Sequence, residues 1–316
     1  MSLADHVRML GRGPGRSRSL TETEAYDAMH LMLSGDAAPE AVGALLMLLR
    51  MKGETAGEIA GFARAAQGSA PGIKAVDLDW PSYAAGRTRG APWFLFSAAM
   101  VARAGHRVLL HGWNGADRKV RDGLETTGIK TARSVEEANA LLDRHGIAYL
   151  PLETLHPALF RLLTLREVLG LRSCINTVCR MLNPGRARAS VQGVFHPSYR
   201  LLQADAAAEL GWQSLSVIKG GGGEFERHPS KQIEAFGLRD GQLYQSTLPA
   251  LSTETRRLAE ASSPPLKAAQ DPRALPAFET QTILGTAALA LDTLGHADAA
   301  EMVADVWAAS APLLPA

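Results

Sequence analysis

Cysteine is nearly missing from this sequence: Cys174 and Cys179 are the only two in 316 residues. Two thiols cannot build a disulfide framework, and their spacing fits no usual zinc pattern. Long apolar runs are missing as well, which excludes a transmembrane helix and predicts no membrane partner. The opening MSLADHVRMLGRGPGRSR lacks an apolar core followed by a small-residue cleavage site, so a cytoplasmic protein is expected. Aromatic residues make up 6% of the chain, and Tyr83, Trp93 and Trp113 are the sparse candidates for stacking on unpaired bases. Net charge is close to nil, with 33 Lys+Arg against 32 Asp+Glu. That balance excludes a wholly basic protein but says nothing about a local patch.

The charge is in fact segregated. Residues 1–21, 84–133 and 157–200 together hold 20 basic residues against five acidic ones, a net of +15. The other 201 residues hold 13 basic against 27 acidic, a net of −14. If the three basic segments meet in space they form a positive face; if they do not, they are scattered solvated surfaces.

The first seventy residues read as helices. Thr21 or Thr23 is an N-cap before a stripe of Ala25, Met29, Met32 and Leu33. Pro39 opens a second helix, with Val42, Leu45, Leu46 and Leu49 inward, and Thr55 caps a third. From about residue 75 short apolar runs alternate with helical stretches. Strands are expected at 75–78, 107–110, 147–150, 190–195 and 214–218, and helices at 94–104, 120–127, 135–144, 198–210, 250–260 and 278–294. This alternation predicts an α/β class: a small N-terminal helical domain (1–74) and a larger α/β domain (75–316) with a central, mostly parallel sheet. The helical segment 157–182 interrupts the rhythm and is expected to join the N-terminal bundle. The tail from Ser310 is expected to fray.

Several motifs carry chemistry. Gly220–Gly223 follows the strand at 214–218, where a glycine loop can cradle phosphate or simply turn the chain. Glu224 and Glu226 lie just beyond it, as acids for Mg²⁺ or as members of a surface ion-pair cluster. His111 and His156 sit near strand ends. Arg166, Arg172 and Arg180 are spaced six and eight apart, a candidate phosphate-tracking stripe. Arg118, Lys119 and Arg121 open a helix where cations oppose the helix dipole.

LTETEAYDAMHLMLSGDAAPEAVGALLMLLRMKGETAGEIAGFARAAQ (20–67) resembles the N-terminal helical domain of the anthranilate phosphoribosyltransferase family. The likeness continues through His111-Gly112, His156-Pro157, LGLRSCINTVCRMLNP (169–184) and GVFHP (193–197). It implies a homodimer formed through the helical domain, and an α/β domain that binds phosphoribosyl pyrophosphate with Mg²⁺ at the hinge. The sequence departs from that family at its chemical positions. Where the resemblance implies a Gly-Thr-Gly-Gly-Asp loop, residues 79–90 read DWPSYAAGRTRG. Phe94-Leu95-Phe96-Ser97 replaces Asn-x-Ser-Thr, Leu110 the lysine before His-Gly-Asn, and Trp113 that motif's asparagine. The family's Asp-Glu metal pair falls on Phe225-Glu226, or on Glu224 after a one-residue shift.

LGRGPGRSRSL (10–20), PSYAAGR (81–87) and GGGE (221–224) are instead similar to a separate branch of the family, typified by a bacterial DNA-binding protein. That likeness implies a non-catalytic homodimer binding DNA or RNA with little sequence preference and no cofactor. Arg16, Arg18, Arg118, Lys119, Arg121, Arg166, Arg172 and Arg180 would contact phosphates. Tyr83, Gly86, Arg87, His111 and Lys219 would surround a remnant phosphate pocket. The alternative is a phosphoribosyltransferase with a changed acceptor, using Mg²⁺ and phosphoribosyl pyrophosphate.

Overall fold

The computed structural model describes residues 1–13, 15–84, 90–255, 265–267 and 275–309. The chain opens with α1 (Leu3–Gly11), α2 (Glu22–Ser34), α3 (Pro39–Lys52) and α4 (Ala56–Ser69). Capping boxes start three of these helices: Ser2 with Asp5, Thr21 with Glu24, and Thr55 with Glu58. At Thr21 and Thr55 hydroxyl and carboxylate reciprocally satisfy backbone N–H groups that the first turn leaves open, while at Ser2 the hydroxyl and N–H both donate to Asp5. Pro39 begins α3 because its missing N–H costs nothing at the first helical position. α2 packs on α4 and α1 on α3.

The α/β part runs β1 (Leu78–Ser82), α5 (Phe94–Arg103), β2 (Val108–Gly112), α6 (Lys119–Thr126), α7 (Val135–His145) and β3 (Ile147–Pro151). Four short helices follow: α8 (Leu152–Leu155), α9 (Pro157–Thr164), α10 (Arg166–Leu169) and α11 (Ile175–Arg180). Then come β4 (Ala189–Val194), α12 (Ser198–Glu209), β5 (Ser214–Lys219), β6 (Ile233–Arg239), β7 (Gln242–Leu248), α13 (Ala277–Thr293) and α14 (Ala299–Ala309). The seven strands are ordered β3-β2-β1-β4-β5-β6-β7, parallel through β5 and antiparallel at β6 and β7. Strands β1 to β4 are buried along their whole length, as a parallel sheet covered on both faces requires. One face packs on α5 and α13 around Trp80, Phe94 and Ile283, with α14 against those two helices. The other shares a continuous core with the helical bundle, since α12 and α11 both pack on α4.

Two expectations shift. The first strand runs 78–82 rather than 75–78, because Asp79 and Pro81, which look unfit for a central strand, are accommodated there. Asp79 finds buried hydrogen-bond partners described below. The β6–β7 hairpin is an addition to the expected elements, although Asp240-Gly241 announces it. Both residues have positive φ (48° and 74°), the geometry of a two-residue type I′ turn. Residues 250–255 are not helical; the remainder of the expected 250–260 helix and the tail from Ser310 lie outside the described residues.

Candidate functional site

Ligands of open parallel sheets collect at the carboxyl ends of the strands, where connections diverge. Here a buried chain of polar groups runs from that edge into the sheet. Tyr83, directly after β1, is fully buried; its hydroxyl lies 2.8 Å from His111 Nδ1. His111 Nε2 lies 3.0 Å from Asp79 Oδ1, and Ser190 Oγ donates to Asp79 Oδ2 at 2.8 Å. The carboxylate can only accept, so Nε2 carries the proton and the Tyr83 hydroxyl donates to Nδ1. Gln192 Nε2 extends the chain, donating to Ser190 Oγ and to the Arg180 carbonyl. Burial pushes the Tyr83 phenol well above its ordinary value, so it stays protonated.

The glycine run is a tight turn rather than an open cradle. Gly221 N–H donates to the Glu226 carbonyl, Gly223 N–H to Gly220 and Glu224 N–H to Gly221. This loop lies against β4 because Gly193 has no side chain: a Cβ there would sit 2.0 Å from the Glu224 carbonyl carbon. The two acids beyond it are buried, not surface-exposed as an ion-pair cluster would be. Glu224 Oε1 accepts from Ser82 Oγ, Ala84 N–H and Asn114 Nδ2 at 3.0–3.1 Å. Glu226 Oε2 accepts from Phe94 N–H at the start of α5. All three donors go to one oxygen of Glu224, and Glu224 and Glu226 are the acids that would hold Mg²⁺.

Beside this edge lies a cavity of about 240 Å³ whose walls include Arg50, Arg172, Arg180, Phe195, Tyr199 and Gln203. Arg50 reaches it from α3 and donates to the Arg172 carbonyl at 2.7 Å. Arg180 is buried, held by the carbonyls of Gly193 and Asn176. Burial lowers its guanidinium pKa, while the carboxylate of Glu224 opposes that shift. Partial burial, then Arg166, Arg180 and Arg50, lower the pKa of Arg172. Guanidinium groups remain charged under such shifts, so like charge accumulates around the cavity. Arg166 lies over the Trp113 ring, 6.0 Å from its centroid, which ties this cluster to the loop after β2.

The remaining candidates disperse. Arg18 is clamped by both oxygens of Glu24 at 2.6 Å, and Arg16 is exposed on the loop after α1. Arg118 pairs with Asp122 at 3.2 Å and Arg121 with Glu153, while Lys119 is exposed. Tyr83 and His111 are sealed in the buried chain, Lys219 is exposed at the end of β5, and Gly86 and Arg87 lie outside the described residues. His156 is the N-cap of α9: Nδ1 accepts from Leu159 N–H, so Nε2 donates to Ser69 Oγ. Of the eight candidate phosphate contacts, the structure brings Arg166, Arg172 and Arg180 together. Arg50 is an addition that sequence reasoning misses; it stands 122 residues before Arg172 and no local spacing signals it.

Residues 5–70 match the glycosyl transferase family helical bundle domain, and residues 94–303 its a/b domain. Anthranilate phosphoribosyltransferase of Geobacillus stearothermophilus is 30% identical over 293 residues, spanning 89% of this chain and 86% of that one. The enzyme of the same name from Symbiobacterium thermophilum is 32% identical over 74% of this chain and 70% of its own. Among solved structures, anthranilate phosphoribosyltransferase from Thermus thermophilus superposes with a TM-score of 0.80, at 23% identity, over 98% of this chain and 95% of that one. The Saccharomyces cerevisiae enzyme in complex with PRPP and Mg gives 0.75 at 19% identity, over 96% and 92%. The chain belongs to this glycosyl transferase family and carries the phosphoribosyltransferase scaffold.

Proposed function

We propose that the protein is a pentosyl-group transferase of the phosphoribosyl type with a small anionic acceptor. The observation that carries this reading is the arginine-walled cavity at the carboxyl edge of the sheet. Its size suits a small molecule rather than a polymer strand. In this reading Arg172 and Arg50 neutralise the acceptor, Arg180 fixes the cavity floor, and the aromatic rim limits water access. The family comparisons favour transfer chemistry over a purely structural role. Incubation with phosphoribosyl pyrophosphate and Mg²⁺ across a panel of anionic aromatic acceptors tests it. Pyrophosphate release that depends on one acceptor is expected; donor left intact with every acceptor would sink the reading.

A second reading is a non-catalytic nucleic-acid binder. Tyr83 filling the β1 edge and the prior engagement of Glu224 and Glu226 favour it. The ion pairs at Arg18 and Arg121 and the burial of Arg180 weigh against a continuous groove. Phosphate contacts release counterions, so log affinity for duplex would fall with log salt at about −0.9 per contact. Affinity independent of salt would remove this reading. The homodimer belongs to the proposal too: Met51 and Val168, each 83% exposed, give the helical part apolar surface for a second copy. Light scattering at the monomer mass would exclude it.

A further inference from the structure

Two packed helices of the α/β part end in the same way. α5 closes at Ala104 and α13 at Leu294, and in each the next residue is a glycine with positive φ, Gly105 (96°) and Gly295 (101°). His106 N–H then donates to the Val101 carbonyl and Gly105 N–H to Ala102; His296 N–H donates to Leu291 and Gly295 N–H to Asp292. Both are Schellman turns, and both carry a histidine at the position that usually makes an apolar contact back to its helix. Because α5 and α13 pack together, the two turns bring the imidazoles into contact, with ring centroids 4.8 Å apart and planes at 62°. His106 Nε2 is buried there and has no hydrogen-bond partner among the described residues.

With its proton on Nδ1, a neutral His106 leaves only a lone pair at Nε2. A second proton would place a charged N–H at that sealed atom, beside another imidazole. Burial first, then His296, lower the His106 pKa from its ordinary 6.5, and Asp77 opposes them. The carbonyl ends of the two helices also favour a cation, but that attraction is weak and supplies no acceptor to a sealed N–H. The charged groups on the surrounding elements are engaged or exposed. Arg107 donates to Asp143 and the Ala75 carbonyl, Asp77 accepts from Arg107 N–H, and Asp292 is paired with Arg239. Arg103 on α5, Arg144 and His145 ending α7, and Asp298 before α14 are exposed. We infer that His106 and His296 form an acid-sensitive latch, which holds the turn between α13 and α14 on the end of α5 while both rings are neutral and releases it when His106 is protonated. The latch lies before β2, at the amino ends of the strands and opposite the candidate site, so it stands apart from the transferase reading.

The test is amide hydrogen exchange of the full chain at about pH 7.5 and about pH 5, corrected for the intrinsic rate at each pH, with the His106 titration followed by NMR. A histidine whose folded-state value is lowered contributes its full stabilisation above 6.5 and loses it as pH falls below that value. The opening equilibrium of residues 294–302 is therefore expected to rise about tenfold at the lower pH, the worth of one pKa unit, while the amides of β2 and β3 stay protected. His106→Phe should abolish that rise. His296→Phe should shrink it and move the His106 midpoint up towards 6.5. A rise that persists in full in His106→Phe, or a His106 midpoint at or above 6.5 in the unsubstituted chain, would overturn the proposal. The unsubstituted chain decides the matter even if a variant folds poorly: protonation of His106 with no faster exchange across 294–302 also defeats the latch.

Discussion

Two polar regions sit side by side at the carboxyl edge of the sheet, and they are built on opposite terms. Around Tyr83, His111, Asp79 and Ser190, donors and acceptors are closed onto one another inside the protein. Around Arg50, Arg172 and Arg180, like charge gathers at a cavity. A closed network stabilises the chain that contains it. An open one stores the capacity to bind, at some cost to the fold. The difference separates two groups of polar residues that look equally functional in sequence.

Stability measurements can break this contrast. The largest effect is expected for Asp79→Ala, which strands His111 Nε2–H and Ser190 Oγ in a dry interior. It should cost about 3–5 kcal/mol, read from urea unfolding. Tyr83→Phe removes one donor from the same network and should cost about 1–2 kcal/mol. A third substitution sharpens the comparison from outside both regions. The Arg18 clamp, with Thr21 N–H, depresses Glu24 from its ordinary 4.5 to about 2. A depressed carboxyl stabilises the fold fully above its unfolded value and loses that contribution as pH falls from about 4.5 towards about 2. Because Arg18 is half-exposed, solvent screening holds the effect to about 1 kcal/mol, and Glu24→Gln should flatten the stability profile across that window. The smallest effect belongs to the cavity: Arg172→Gln should change stability by less than about 0.5 kcal/mol, or raise it by relieving like-charge repulsion. A loss of several kcal/mol there would show that the two regions are not distinct in kind.

The fold is largely legible because its signals are local. Thr21, Pro39 and Thr55 begin helices where capping and proline chemistry place them. The apolar runs after residue 105 fall on strands β2 to β5. The hairpin at Asp240-Gly241 is equally visible in principle, but its second strand alternates exposed and half-buried residues and gives no apolar run. The site is legible only in part. Arg166, Arg172 and Arg180 stand out as an arginine-rich stretch, yet spacing does not reveal that Arg180 is buried and Arg172 lies at a cavity. Glu224 and Glu226 are visible as acids, but acids next to four glycines read as exposed. Their burial depends on Ser82, Ala84, Asn114 and Phe94, more than a hundred residues away.

The hydrogen bond from Arg50 to the Arg172 carbonyl has a mechanical meaning. It crosses from a helix of the N-terminal bundle to the segment before α11, so the cavity has one wall from each side of a seam. An anion bound between those guanidinium groups would fasten that seam, and its binding is expected to raise the melting temperature of the whole chain.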